Sequence, residues 1–281
     1  MTSVNFNPGV VNGQQAFLAA GNVLNQTNER LSTALRINSG ADDPSGLISS
    51  ERLSAEIAAL EAESRVMDRQ QAVANVAEGA LREVTSLTSE AQALAVANAN
   101  TAGMSDAERE ANQMQLDSIA QSIDRAVQTT SFNGERVFDG EQVLSVGGDA
   151  LALPELSLSD IGQVEIDGTT FSLADAQTGG ALAIDADRPG DTQAVFDAAR
   201  TQITSLRGEI GAFQQNAINT QQAVVQEQTI QSSAARSIIR DADFAAEVSN
   251  RTRAGLLQQA SIGSILEAGD SQRRAIEGVL G

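Results

Sequence analysis

The chain has 281 residues, a length that suits one or two domains, and 41% of them are apolar while only 3% are aromatic. It contains no histidine, cysteine or lysine, which removes the imidazole base, the thiolate nucleophile, the Schiff-base amine and the usual structural zinc site. A net charge of −19 repels nucleic acid and anionic lipid. We therefore expect a protein that is not an enzyme and has no cofactor or metal, packed from helices with small and aliphatic side chains.

The N-terminal stretch is uncharged: no side chain before Glu29 carries a charge. It lacks the basic start and continuous apolar core of a secretory signal. The chain contains no run of about 18 apolar residues, so no membrane span is predicted. The stretch is either a helix completed by other helices or a tail of low charge that is disordered alone. Large apolar residues that recur every seven positions favour the helix. They are Val10, Phe17, Leu24 and Leu31.

A break follows at residues 40–46, where two glycines open the backbone and Pro44 disfavours helix for Asp43. A long helix is predicted from about residue 47 to residue 98. The pair Ser105 and Glu108 has the form of a capping box and predicts the start of the next helix. Apolar residues with 4-3 spacing support the long helix; they are Val73, Ala77, Ala80, Val84, Leu87, Ala91 and Leu94.

The signals change from helix to short strands after residue 131. Strands are predicted over residues 143–146, 162–166 and 169–173, with the dipeptide Asp167-Gly168 as a hairpin turn. Eleven acidic residues and one arginine lie between residues 139 and 191. We interpret this segment as a solvated, outward-facing surface.

Helix is predicted again from about residue 191 to residue 235, and after a break around Asp241 and Asp243 to residue 280. The fold class is therefore mainly α: a long antiparallel, coiled-coil-like helical bundle formed by paired N- and C-terminal arms, with a small β-hairpin region in the middle. The 4-3 pattern of the first of these helices comprises Ala199, Ile203, Leu206, Ile210, Phe213, Ala217, Thr220 and Val224.

Two long segments resemble the signatures of bacterial flagellins. Residues 31–53 (LSTALRINSGADDPSGLISSERL) resemble the N-terminal signature, and residues 234–260 (AARSIIRDADFAAEVSNRTRAGLLQQA) resemble the C-terminal one. Residues 129–134 (TTSFNG) are similar to the family's exit from its third helix. The resemblance implies a secreted, extracellular structural subunit of the bacterial flagellum, exported by the flagellar type III system, that polymerises with its own copies into a filament for motility.

The resemblance also implies a division of the chain. In flagellins the terminal helices form an inner tube around a central channel, and the middle of the chain forms an outer tube. On this pattern residues 1–40 and 237–281 are inner-tube helices. Residues 41–140 and 191–236 form the helical part of the outer-tube domain, and residues 141–190 form its small acidic β segment. We expect no large additional outer domain.

An open helical filament needs heterologous contacts between copies, and both ends of the chain supply apolar candidates. For each of them, packing within the subunit is the alternative to packing between subunits. Besides the four residues of the first stripe, the candidates are Val4, Phe6, Val11, Leu18, Val23, Leu256, Leu257, Ile262, Ile265, Leu266, Ile276, Val279 and Leu280.

Six charged residues of the matched signatures are further interface candidates. They either hold the loop between the two tubes or bridge subunits, or they cap helices and remain solvated. A calcium loop is excluded for Asp241 and Asp243, because two carboxylates two positions apart lack the further oxygens and the glycine turn. The six residues are Arg36, Asp42, Asp43, Arg240, Asp241 and Asp243.

The chain departs from the family at the patch that host Toll-like receptors bind. In residues 87–97 (LTSEAQALAVA), Glu90 stands where the family has a key arginine, and Ala93 where it has a glutamate. Gln115 matches a receptor-contacting glutamate of the third helix. Reversing a charge at a desolvated interface costs roughly 2–5 kcal/mol, so the resemblance with these departures implies weak or no activation of that receptor.

The family's further partners are an export chaperone at the C-terminal helix, the filament cap and the hook–filament junction proteins. Three alternative functions are considered. One is a hook–filament junction protein of the same superfamily, which the match over residues 236–260 disfavours. Another is a helical coiled-coil binding module with ordered ends. An enzyme within residues 141–190 is a third alternative, disfavoured by the absence of histidine and cysteine.

Overall fold

The structure is a computed structural model that describes residues 7–99, 103–183 and 188–280, without the side chains of 279 and 280. The candidates Val4 and Phe6, and the side chains of Val279 and Leu280, lie outside the described residues. The fold is mainly α with small antiparallel strand pairs in the middle, as predicted. Its helices are α1 (Pro8–Thr33), α2 (Pro44–Asn98), α3 (Asp106–Thr129), α4 (Pro189–Phe213), a π-helix (Gln214–Ile218), α5 (Asn219–Arg240) and α6 (Phe244–Leu280).

Side-chain caps set the starts of several helices. The Asn7 carboxamide oxygen accepts hydrogen bonds from the N–H groups of Gly9 and Val10 at the start of α1. The capping box at Ser105 and Glu108 is confirmed, since each residue's side chain accepts from the other's backbone N–H. The predicted start of α2 at residue 47 is wrong by three residues. Asp43 caps the helix there, and a proline suits the first helical position because that N–H needs no partner.

The middle of the chain folds into three two-stranded antiparallel ladders. The prediction of a tight turn between β5 and β6 is confirmed: Asp167 and Gly168 both have positive φ, as a type I′ turn requires. Leu173, predicted to end a strand, instead begins a 3₁₀ helix, Leu173–Ala176. The paired strands are β1 (Ser131–Phe132) with β2 (Glu135–Arg136), β3 (Val143–Val146) with β4 (Asp149–Ala152), and β5 (Val164–Ile166) with β6 (Thr169–Phe171).

A carboxylate ties the loop after this 3₁₀ helix to α3. Asp117 accepts hydrogen bonds from the backbone N–H and the hydroxyl of Thr178 and from the side-chain amide of Gln113. Burial acts to raise the pKa of Asp117, but these hydrogen bonds outweigh it and hold the pKa below its ordinary value of 3.8. The negative charge of Asp117 therefore contributes to holding the loop.

The π-helix changes the predicted register of the long C-terminal helical segment. Ala199, Ile203, Leu206, Ile210 and Ala217 are buried, as their 4-3 spacing predicts. Beyond this point the prediction is wrong, because Thr220 is exposed and Val224 is 42% exposed. A π-helix inserts one extra residue into the helical turn and advances the buried face by one position. The buried face therefore continues with Ile218, the last residue of the π-helix, and Val225.

The chain divides into two compact units. Unit 1 contains residues 1–59 and 228–281, and unit 2 contains residues 60–227. Unit 2 encloses a continuous apolar core to which α2, α3, α4 and the strand region contribute, with Phe138 and Phe196 among its largest buried side chains. Among the residues that the structure describes, no helix is long and apolar enough to cross a lipid bilayer.

Candidate self-assembly surface

Helices α1 and α6 pack antiparallel in unit 1, and several contacts fix their register. The Asn7 carboxamide donates to the carbonyl oxygen of Ala268 over 2.8 Å. Further along, Gly13 lies against Ile265, and the guanidinium of Arg30 meets Glu247. The residue number falls along α6 as it rises along α1, so these two arms form a hairpin-like pair.

Small residues form the buried seam of this pair. On α1 the buried positions are Gly13, Ala20 and Thr27, which are spaced seven residues apart. On α6 the buried positions include Ala254 and Ser261, with the same spacing. A Cβ placed on Gly13 would lie 2.5 Å from Ile265 Cγ1, so the two backbones approach closely because the side chains between them are small.

The large apolar stripe of α1 flanks this seam instead of forming its centre. Val10, Phe17, Leu24 and Leu31 are all half-buried. On α6, Ile265 is half-buried, whereas Leu256 and Leu257 are exposed. Sequence reasoning followed the large residues and missed the small ones, although a heptad of small residues three positions beyond each large one is visible in the sequence.

Unit 1 exposes more large apolar side chains than it buries. Among the residues that the structure describes, its buried hydrophobic residues are Ala20, Ile37, Ile57 and Ala254. A stable unit normally buries its large side chains and exposes charged ones, so unit 1 presents a surface suited to association. The twelve exposed large apolar residues of the unit are Leu18, Val23, Ile48, Ile230, Ile238, Phe244, Val248, Leu256, Leu257, Ile262, Leu266 and Ile276.

The net charge is divided unequally between the units. Unit 1 contains nine arginines and eleven acidic residues and so contributes −2 of the total charge of −19. Unit 2 contributes the remaining −17. The surface of unit 1 itself therefore contributes little electrostatic repulsion between copies of the chain.

A shallow groove of about 410 Å³ runs between α1 and α6. The alanines of α1 leave space on one side, and Leu257 of α6 borders the other. Because nearly all of this lining is apolar, the groove suits an aliphatic side chain. Its lining residues are Ala16, Ala19, Ala20, Val23, Asn250, Arg253, Ala254 and Leu257.

Backbone hydrogen bonds join the segments that leave α1 and α5. The Arg36 N–H donates to the Arg240 carbonyl over 2.7 Å, and the Ala242 N–H donates to the Ala34 carbonyl over 3.0 Å. The side chain of Ile37 is fully buried at this crossing. The two flagellin-like signatures thus meet in space at the point where both chain segments turn.

The acidic candidates at this crossing serve local structure. Asp42 accepts hydrogen bonds from the N–H groups of Ser39 and Asn38 and from the Ser39 hydroxyl, which lower its pKa. Asp43 caps α2, and Asp243 caps α6 by accepting from the N–H groups of Ala245 and Ala246. These contacts support the capping interpretation for the three aspartates.

The remaining charged candidates also find partners in their own chain. The Arg36 guanidinium donates to the carbonyl of Ile239, and the Arg240 guanidinium forms an ion pair with Glu51 at 2.7 Å. The carboxylate of Asp241 accepts from the hydroxyl of Ser237. Contact with another subunit stays a prediction for all six charged residues.

One ion pair that the sequence did not reveal lies between the arms. Arg30 Nη1 is 3.2 Å from Glu247 Oε1, and Glu247 is only 7% exposed. Arg30 is the first positive charge in the chain, which is the one sequence signal that could have drawn attention to it. A buried carboxylate needs its partner, so this pair favours one alignment of α1 with α6.

The three positions of the predicted altered receptor patch lie on α2 and α3 of unit 2. Glu90, Ala93 and Gln115 are all exposed. The Gln115 amide donates to Glu90 Oε1 over 3.4 Å, so these two positions are neighbours on adjacent helices. A negative charge therefore occupies the place where the resemblance expects an arginine.

Known proteins match this chain at both ends. The family model for the bacterial flagellin N-terminal helical region matches residues 4–143, and that for the C-terminal helical region matches residues 193–272. A flagellin of Bacillus subtilis (strain 168) is 28% identical, with 92% of this chain and 94% of that protein aligned. A flagellin of Halalkalibacterium halodurans is 30% identical, with 89% of each chain aligned. A B-type flagellin of Pseudomonas aeruginosa is 35% identical, aligned over 56% of this chain and 33% of its own length.

Proposed function

Because the chain belongs to the bacterial flagellin family, it is a structural subunit of the bacterial flagellar filament, and we propose that its copies join mainly through the exposed apolar surface of the α1–α6 pair. The observation that carries this proposal is the excess of exposed over buried large apolar side chains in unit 1. Burying the exposed half of one such side chain contributes about 1 kcal/mol. Twelve of them together offset the loss of translational and rotational freedom on association, which costs about 4–15 kcal/mol.

The contacts between copies are of two kinds in this proposal. Exposed side chains such as Leu256 of one copy enter the groove between α1 and α6 of the next. The half-buried stripe of α1, together with Ile265, then completes its burial against the same neighbour. Each contact is heterologous, as an open filament requires.

The division into tubes follows from the same surface. We assign residues 1–40 and 237–281 to the inner tube, where neutral, apolar helices are surrounded by copies, and residues 41–236 to the outer tube. The hydrogen-bonded crossing at Arg36 and Arg240 supports this assignment, because both arms turn there, close to the proposed boundary. The charged residues there hold the loop between the two layers.

Export and the family's other partners belong to the same proposal. Before assembly, α6 presents Leu256, Leu257, Ile262 and Leu266 to solvent, a surface that an export chaperone would cover during secretion by the flagellar type III system. The filament cap and the hook–filament junction proteins would contact the same apolar ends at the two ends of the polymer.

Matched polar substitutions test the proposed surface. Ile262 in unit 1 and Val143 in unit 2 are 45% and 48% exposed, so replacing either by glutamine changes a similar area. We expect Ile262→Gln to raise the critical concentration for polymerisation about fivefold, which corresponds to about 1 kcal/mol. Val143→Gln should leave it unchanged, and electron microscopy of seeded samples identifies the polymer. Equal effects of the two substitutions would contradict the assignment to unit 1.

We also propose weak or no activation of the host Toll-like receptor. Glu90 is exposed and places a carboxylate at the position of the family's arginine. The variant Glu90→Arg with Ala93→Glu restores the family's charges and should raise the response of receptor reporter cells. Gln115→Glu alone serves as the control, because it leaves the reversed charge in place. A full response to the unaltered protein would contradict this proposal.

A further inference from the structure

The buried face of the long helical segment shifts by one residue at the π-helix between α4 and α5. In α4, Ile203 and Ile210 are buried seven residues apart, and Ala217 continues this spacing inside the π-helix. From Ile218, the last residue of the π-helix, the buried residues are Ile218 and Val225, which have the same spacing but lie one position later. Single-turn π-helices are uncommon, and they frequently mark functional sites in helices.

Several pairs of identical neighbouring residues follow the π-helix, so a shift of one residue would exchange like side chains at those positions. Gln221 and Gln222 form one doublet, and both side-chain amides donate to carboxylates of α2, Gln222 to Asp68 at 3.0 Å. Val224 and Val225 form a second doublet, in which Val224 is 42% exposed and Val225 only 2%. Ile238 and Ile239 repeat this contrast near the end of α5, since Ile238 is 82% exposed and Ile239 is half-buried.

We propose that the π-helix is a register switch through which α5 packs in unit 2 in two alternative ways. When the π turn straightens into α-helix, each residue of α5 takes the place of its successor, an advance of about 1.5 Å with a rotation of about 100°. Val224 then occupies the site of Val225, and Gln221 that of Gln222, within reach of Asp68. The backbone of the turn exchanges π-type for α-type hydrogen bonds. The hydrogen bond from the Arg36 N–H to the Arg240 carbonyl at the end of α5 has to break, which disfavours the straightened register.

A difference in side-chain size at one buried position also disfavours the straightened register. Ile218 is completely buried in the observed register and packs with Leu60, Met67 and Val225. In the straightened register the smaller Ala217 takes this place and Ile218 turns outward. The site is then underfilled, which makes the straightened register the minor state. The exposed Val224 is the residue that becomes buried in that state.

Thiol labelling tests the switch, because the chain contains no cysteine. Cysteine is introduced at Val225, which leaves the core when the register changes, or at Val84, a residue 1% exposed in α2 that stays buried in both registers. In the full chain we expect Val225→Cys to react at least about tenfold faster than Val84→Cys, because a local change opens more often than the whole unit. Equal rates at the two positions would overturn the proposal.

Two further variants separate the switch from local fraying. Deleting the exposed Asn216 removes the extra residue and leaves a regular helix in the observed register, so Val225→Cys should then react as slowly as Val84→Cys. Val224→Asn leaves the observed register unharmed but would bury an amide in the other, so it should slow the labelling of Val225→Cys even if the deletion variant does not fold. An undiminished labelling rate in the Val224→Asn background would overturn the switch.

Discussion

Replacing Gly13 by alanine tests the close approach of α1 and α6. The added Cβ would lie 2.5 Å from Ile265 Cγ1 and 3.5 Å from the Ile265 backbone nitrogen. No side-chain rotation on α1 relieves this contact, because a Cβ is fixed to the backbone. Either Ile265 moves or the helices separate, and such overpacking costs about 1–3 kcal/mol. Alanine also favours helix over glycine by about 1 kcal/mol, which offsets part of the cost.

The substitution of Gly21 by alanine provides the matched control on the same helix. A Cβ at Gly21 meets only the Gln258 amide, at 3.6 Å, which is an ordinary contact. Because both substitutions gain the same helix propensity, their difference isolates the contact with Ile265. We expect Gly13→Ala to have a critical concentration for polymerisation about 5- to 150-fold above that of Gly21→Ala, which corresponds to about 1–3 kcal/mol.

Sedimentation of full-length protein after seeded assembly measures both critical concentrations. The double variant Gly13→Ala with Ile265→Ala removes the clashing atom, so its effect should be smaller than the sum of the two single effects. Equal critical concentrations for Gly13→Ala and Gly21→Ala would refute the close packing of the arms in the polymer. An additive double variant would show that the cost of Gly13→Ala arises elsewhere.

Three further outcomes follow from the hydrogen bonds and ion pairs. Asp243→Ala removes the cap of α6 and should weaken its helix by about 1 kcal/mol, while Asp243→Asn should be nearly neutral, as amide exchange within 244–250 would report. Arg30→Met should raise the critical concentration more than Arg30→Met with Glu247→Gln, because the single variant leaves a buried carboxylate without its partner. Since the pKa of Asp117 is lowered in the folded chain, its contribution to stability is present above about pH 3.8 and lost as the pH falls below that value. Urea unfolding of Asp117→Asn should lack this part of the acid dependence, and an unchanged dependence would exclude the hydrogen bonds to Thr178 as its cause.

Local signals explain why the helices were predictable. The 4-3 spacing of apolar residues, the capping box at Ser105 and the turn at Asp167 each depend on a few neighbouring residues, so they were readable without knowledge of the fold. Strand β4 was missed because Asp149–Ala152 has little intrinsic strand preference. It forms a strand because it pairs with Val143–Val146 across a two-glycine turn.

The register beyond the π-helix was not predictable from spacing. Heptad continuity favours Val224, and only the space around Leu60 and Met67 selects Ile218 and Val225 instead. The seam between the arms has a similar cause. Gly13, Ala20 and Thr27 carry almost no apolar signal, and their role becomes visible only when α6 lies across from α1, as Ile265 does at Gly13. In both places the packing of a partner helix determines which residues are buried, and the local sequence alone does not.

The arms place small side chains inward and large ones outward, which is the reverse of an ordinary helical pair. This arrangement limits what the pair gains by forming alone, because the area buried per residue is small. In the proposed assembly the large residues contribute only when further copies cover them, so we expect much of the stability of unit 1 to depend on the polymer. The charge of −17 on unit 2 opposes association over about a Debye length, roughly 8–10 Å, whereas apolar contact acts only at closer range. One chain thereby combines repulsion that keeps free copies dispersed with nearly neutral arms that are stabilised once they meet.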